Sequence, residues 1–228
     1  MKYKVFVDGK EGTTGLKIHE RLILQPNIEM LLIDEALRKD TTERIKLLNE
    51  ADIVFLCLPD TAAVEAVSLI KNERTRIIDA STSHRCDDRW VYGFPELNKT
   101  QRRLIAESKR VAVPGCYATG LTSCVYPLRE GGIIPANYPL VATAISGYTG
   151  GGKKLIEKYE HGRNTDSGED IRMKSPRMYA LGLNHKHLPE IMKINSLLHP
   201  PIFTPIVGDF CQGMLVSLPI DKKLLSYI

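Results

Sequence analysis

"YKVFVDGKEGTTGLKIHERLIL", residues 3–24, reads as an apolar strand that runs into a glycine-rich loop and then into an amphipathic helix over residues 15–24. Gly9, Gly12 and Gly15 lie between strand and helix with GxxGxxG spacing, one residue longer than the dinucleotide-binding fingerprint. Bare backbone at a helix N-terminus can hold a pyrophosphate. The same glycines also suit a tight turn that needs φ > 0 with no ligand present, but the strand–loop–helix setting favours the phosphate.

Working outward, apolar runs keep alternating with amphipathic ones. Strands are expected at "MLLID" (30–34), "DIVFLCLPD" (52–60), "TRIIDAS" (75–81) and "RVAVP" (110–114). Helices are expected at 41–50, at 61–72 with Ala63, Val67 and Ile70 on one face, and around 98–109. This is the α/β pattern of a Rossmann-like doubly wound parallel sheet. After residue 113 the alternation weakens. A helix over 119–132, a strand "LVATAIS" (140–146), a glycine-rich loop "GYTGGGKK" (147–154) and an aperiodic polar stretch over 157–175 precede two β-rich segments, 201–210 and 213–220, that read as neighbouring antiparallel strands. The expected division is a dinucleotide domain, 1–113, and a second α+β substrate domain, 114–228.

Composition sets bounds on function. The 228 residues are 43% hydrophobic and 25% charged, which is globular, and no run is long enough to span a membrane. The N-terminus has no signal-peptide pattern, so the expected location is cytoplasmic. The net charge of +4, from 31 basic and 27 acidic residues, is spread along the chain without basic–aromatic blocks. A small anionic ligand accounts for it better than nucleic acid or membrane. Cys57, Cys86, Cys116, Cys124 and Cys211 form neither a disulfide framework nor a CxxC zinc pattern.

At the end of the second strand, Asp34 or Glu35 could hold the ribose hydroxyls of NAD, whereas Arg38 and Lys39 suit the 2′-phosphate of NADP, which is favoured. A solvated charged turn accounts for the same residues without a ligand. Cys57 and Cys124 read as small buried hydrophobes. Cys116 differs, because Pro114 and Gly115 bring it sharply to the start of a helix, where unpaired amides favour the thiolate. Such a nucleophile beside a nicotinamide turns an activated acyl group into a thioester whose carbonyl accepts hydride. "LNHKHLPEI" supplies His185, His187 and Glu190 for the proton. On a strand the two histidines would share a face, but no third metal ligand accompanies them, so no metal is expected. His19, His84, His161 and His199 need only surface or loop roles.

The stretch "VAVPGCYATGLTSCVYP" resembles the active-site signature of the N-acetyl-γ-glutamyl-phosphate reductases of arginine biosynthesis. The resemblance continues through "LCLPD", "DASTSHR", "WVYGFPEL", "SGYTGGGKK", "LNHKHLPEI" and "FTPIVGDFCQGM". It is to the shorter of that family's two chain types, within an aspartate-semialdehyde-dehydrogenase-like group. It implies an NADP(H)-dependent oligomeric oxidoreductase with Cys116 as nucleophile, His187 or else His185 as acid/base, and Glu190 orienting the imidazole. Gly12, Thr13, Thr14 and Gly15 would line the pyrophosphate, with Cys57, Leu58 and Pro59 at the cleft edge and Ser81 and Ser83 beside the nicotinamide. Arg85, Ser146, Gly147 and Lys153 would meet substrate carboxylate or phosphate. Family members run on past the strand matching "GMLVSLPI", so the chain reads as short of the family's length. Rival readings are a reductase of an aspartyl or aminoadipyl phosphate and a non-catalytic NADP-binding sensor.

Overall fold

A computed structural model describes residues 2–9, 13–162 and 173–226. The chain divides into two compact units, Met1–Pro114 and Gly115–Ile228.

In the first unit, strands β1 (Tyr3–Asp8), β2 (Ile28–Leu31), β3 (Ile53–Leu56), β4 (Arg76–Asp79), β5 (Val91–Tyr92) and β6 (Arg110–Ala112) form one sheet in the order β2-β1-β3-β4-β6-β5, with every pairing parallel. Parallel strands need crossovers, supplied by α1 (Thr13–Leu22), α2 (Thr41–Glu50), α3 (Asp60–Leu69) and α4 (Gln101–Glu107). Val5, Phe6 and Val7 are consecutive and all buried, as a strand covered on both faces requires. The chain leaves β1 for β2 on one side and returns to β3 on the other, so the strand order reverses between β1 and β3. In open α/β sheets the ligand crevice opens at the carboxyl ends of such a pair.

Helix α2 starts where Asp40 accepts the N–H of Glu43 at 2.8 Å. Leu47 and Leu48 of α2 meet Ala63, Ala66 and Ile70 over Val54, Leu56 and Ile77. Ala66 takes the buried place that the sequence pattern assigns to Val67, which is only partly covered. Strand β2 ends at Leu31, short of "MLLID", because Asp34 accepts the Ala36 N–H and turns the chain into a 3-10 turn, Glu35–Leu37. Two-residue β5 is too short to show a period. It is held by the Gly93 N–H on the Ala112 carbonyl, 2.8 Å.

The second unit contains α5 (Cys116–Glu130), β7 (Val141–Gly147), α6 (Lys153–Gly162), β8 (Arg177–Met178), α7 (Leu188–Ile194), β9 (Ile202–Gly208) and β10 (Met214–Ser217). Its sheet runs β10-β7-β9-β8; β7 and β9 are parallel and the outer pairings antiparallel. The segments expected to be neighbours, β9 and β10, are therefore separated by β7. Strand β7 offers a long seven-residue ladder to β9 and pairs with β10 on its other edge. Ala142, Ala144 and Phe203 turn inward against Tyr117, Leu121, Leu188 and Ile191 of α5 and α7. The expected aperiodic stretch begins inside α6, where Leu155, Ile156 and Tyr159 form a short apolar stripe and Tyr159 stacks on Tyr148 at 4.8 Å.

Candidate active site

At the β1/β3 switch, Gly9 has φ +90°, and a Cβ there would overlap the Cys57 carbonyl. Only glycine leaves that cradle open. Helix α1 begins just beyond the loop with no acidic residue in its first turn, so its positive end is not neutralised from within. Thr14 is exposed and Gly15 buried, whereas Gly12 and the Thr13 side chain lie outside the described residues. Asp8, beside the loop, is neutralised by Arg44 at 2.9 Å. Burial first, then Asp79 and Asp8, push the Cys57 thiol up to about 12, so it carries no charge. Leu58 packs on the core and Pro59 caps α3. Because Asp34 is spent on its own turn, the acidic ribose-holding role has less support than the exposed Arg38 and Lys39; Arg38 lies 3.7 Å from Glu35. These residues fit a phosphorylated dinucleotide.

The serine loop after β4 is more tightly built than its sequence suggests. Fully buried Asp79 accepts the Ser81 N–H (2.9 Å), the Ser81 hydroxyl (2.6 Å) and His84 Nδ1 (2.6 Å), and the His84 ring stacks on Trp90 at 4.1 Å. His84 does lie in a loop, but its imidazole is buried, unlike a surface histidine. Asp60 accepts both the N–H and the hydroxyl of Thr82, and its carbonyl takes the Ser83 hydroxyl. Arg85 is buried, with Nε on the Val113 carbonyl (2.8 Å) and Nη2 on that of Ala80 (3.1 Å). These two bonds fasten it to the framework of the first unit, whereas the resemblance implies a contact with substrate carboxylate or phosphate.

In the second unit Cys116 is the first residue of α5 and exposed. Gly115 precedes it in extended conformation, and no side chain caps the helix. The Gly115 N–H is taken by buried Glu190 at 3.1 Å. Neighbouring Tyr117 is buried and donates to Ser146 Oγ at 2.8 Å. The Tyr179 ring lies 6.5 Å from that of Tyr117. Burial first, then the neighbouring Tyr117 and Cys116, hold its phenol well above the usual range. Tyr117 and Tyr179 are the site residues that sequence reasoning missed; "GCY" offered a signal for the first.

His185 and His187 do not lie on a strand. They occupy the turn into α7, with rings nearly perpendicular at 4.7 Å. His185 is ringed edge-on by Tyr117 (5.5 Å) and Phe203 (5.2 Å), and its Nδ1 accepts the His187 N–H at 3.1 Å. Burial, then Lys186, lowers its pKa. A neutral imidazole that accepts at Nδ1 carries its proton at Nε2 and so acts as a donor. Gly147 closes β7 where a Cβ would lie 2.7 Å from the Phe210 and Cys211 carbonyls. The following 3-10 turn, Tyr148–Gly151, is bonded to residues 210 and 211, and exposed Lys153 opens α6. The first part of "GYTGGGKK" is thus fastened to the chain at residues 210 and 211. Cys124, expected inside, is exposed, because Leu121, Thr122 and Val125 fill the buried face of α5. Among the described residues no group of three or more His, Cys, Asp or Glu is arranged to hold a metal, and no helix is long and apolar enough to cross a membrane.

Residues 4–105 match the model of the semialdehyde dehydrogenase NAD binding domain, and residues 116–224 that of the semialdehyde dehydrogenase dimerisation domain. N-acetyl-gamma-glutamyl-phosphate reductase of Trichormus variabilis is 48% identical over 227 residues, covering 99% of this chain and 70% of that protein. The chain belongs to the N-acetyl-gamma-glutamyl-phosphate reductase family. A Rhizobium meliloti member of the family is also 48% identical, over 99% of this chain and 72% of its own. Aspartate semialdehyde dehydrogenase II of Vibrio cholerae shares the fold at TM-score 0.66 and 12% identity, covering 96% of this chain and 74% of that one. The Candida albicans aspartate semialdehyde dehydrogenase solved with NADP does so at TM-score 0.58 and 16% identity, covering 96% and 71%.

Proposed function

We propose that this chain reduces N-acetyl-γ-glutamyl phosphate to N-acetylglutamate semialdehyde and phosphate with NADPH, a step of arginine biosynthesis. The observation that carries the reading is the placement of Cys116 at the open N-terminus of α5, in the same compact unit as a neutral Nε2–H donor, His185. The glutamyl substrate follows the 48%-identical relatives. The aspartate enzymes, at 12–16% identity, support the fold alone.

The Cys116 thiolate attacks the acyl carbon, the carbon–oxygen bond to phosphate breaks, and a thioester remains. When bound, NADPH supplies the hydride that reduces the acyl carbon; Gly9, Gly12, Thr13, Thr14, Gly15, Arg38 and Lys39 would hold it, with Cys57, Leu58, Pro59, Ser81 and Ser83 lining its cleft. His185 holds a proton at Nε2 for the acyl oxygen, in preference to His187, whose backbone N–H fixes the His185 tautomer. Glu190 fixes the backbone ahead of Cys116. Ser146, Gly147 and Lys153 receive the substrate's anionic groups.

The deciding assay is phosphate-dependent reduction of NADP⁺ by N-acetylglutamate semialdehyde. Cys116→Ala is expected to abolish it, and persistent activity removes the mechanism. His185→Asn is expected to lower kcat more than His187→Asn; the reverse order reassigns the proton donor.

The outer face of the second sheet supports association with a second copy. Val141 and Ile202 are exposed there, and Leu215, opposite Ile145, is 60% exposed. The match to a dimerisation domain agrees. Leu215→Glu is expected to shift the species seen by light scattering toward monomer.

A further inference from the structure

Tyr117 lies one position past the nucleophile, and its phenol joins two parts of the site. Its ring, 2% exposed, meets His185 at 5.5 Å and 80° and Phe203 at 5.1 Å and 70°. Its hydroxyl reaches Ser146 Oγ at 2.8 Å, with the Ile206 carbonyl a weaker second acceptor at 3.4 Å. A phenol has one proton to give, and here Ser146 takes it. Having accepted from Tyr117, Ser146 presents its own O–H. It stands near the end of β7 and is only half-buried, so that proton has an outlet.

We propose that Tyr117 is a positioning residue that fixes Ser146 as a hydrogen-bond donor to an oxyanion of the substrate, while its ring fixes the His185 imidazole. The inference rests on the reductase reading and names a determinant of substrate affinity within it. The oxyanion is a phosphate or carboxylate oxygen, and the reverse reaction separates the two because phosphate and semialdehyde are then different substrates.

Tyr117→Phe keeps the ring and removes only the oxygen. Its KM for phosphate or for N-acetylglutamate semialdehyde is expected to rise about 10-fold, the size of one oriented hydrogen bond, with kcat within about twofold. A rise for phosphate assigns Ser146 to the phosphoryl group; a rise for the semialdehyde assigns it to the carboxylate. Ser146→Ala is expected to give the same shift, and the double variant no more than either single one. Unchanged KM values with a lowered melting temperature, or shifts that multiply in the double variant, overturn the proposal. Should Tyr117→Phe fail to fold by circular dichroism, Ser146→Ala decides, and unchanged KM values there overturn it. Loss of the underlying reading shows up separately, as activity that survives Cys116→Ala.

Discussion

The buried Glu190 carboxylate, in the first turn of α7, accepts the N–H of Gly115 at 3.1 Å, one residue ahead of Cys116. This ties the start of α5 to the element that carries the histidine turn. Glu190→Ala leaves a buried donor without that acceptor and is expected to cost about 1–3 kcal/mol in urea unfolding. Glu190→Gln keeps an acceptor oxygen and should lose less.

Asp79 organises the serine loop. With Ser81 and His84 all bonded to one buried carboxylate, Asp79→Ala strands several donors at once, and a loss of about 3–5 kcal/mol is expected. Trp90, the chain's single tryptophan and the stacking partner of His84, reports this unfolding by its fluorescence.

Thiol chemistry should separate cysteines by their surroundings. Cys57, half-exposed but pushed up to about 12, stays a thiol at neutral pH. Iodoacetamide at pH 7.5 is expected to alkylate Cys116 first and to leave Cys57 unlabelled, read by peptide mass spectrometry. Exposed Cys124 should be labelled more slowly than Cys116, because it sits mid-helix, away from the amide field.

Stability should depend on His185 in acid. Its pKa is lowered below the ordinary 6.5, so the unfolded chain takes up the proton more readily than the folded one. Well above pH 6.5 both forms are neutral and nothing changes. As pH falls below 6.5, stability is lost until the folded form also protonates. Melting temperatures at pH 5.5 and 7.5 should differ less in His185→Asn than in the wild type.

Gly9→Ala tests the dinucleotide cradle. The added Cβ meets the Cys57 carbonyl, and the backbone at φ +90° disfavours any L side chain. NADPH affinity, followed by nicotinamide fluorescence, is expected to fall at least about 10-fold, since one factor of ten is only about 1.4 kcal/mol.

Much of this is legible in the amino-acid sequence. Runs such as "KVFVD" and "IVFL" lie in strands covered on both sides, so continuous hydrophobicity marks them, and α2 falls on residues 41–50 because Asp40 and Glu43 are a local capping pair. Cys116 was legible because proline, glycine and a helix start are neighbours in sequence. Local chemistry of that kind is carried by adjacent residues.

What escaped depended on residues far apart in the chain. The position of β7 between β9 and β10 is a choice among pairings that all three strands permit, and it is decided by which ladder is longest and which faces reach α5 and α7. Nothing near Tyr117 announces Ser146, 29 residues away. The sequence by itself determined the parallel sheet, the glycine turn and the placement of Cys116 at a helix start, because hydrophobic period, backbone freedom and local chain geometry act over a few residues. Only the tertiary structure decided that the His185 pKa is lowered and where that imidazole carries its proton, because burial and a specific backbone donor set them.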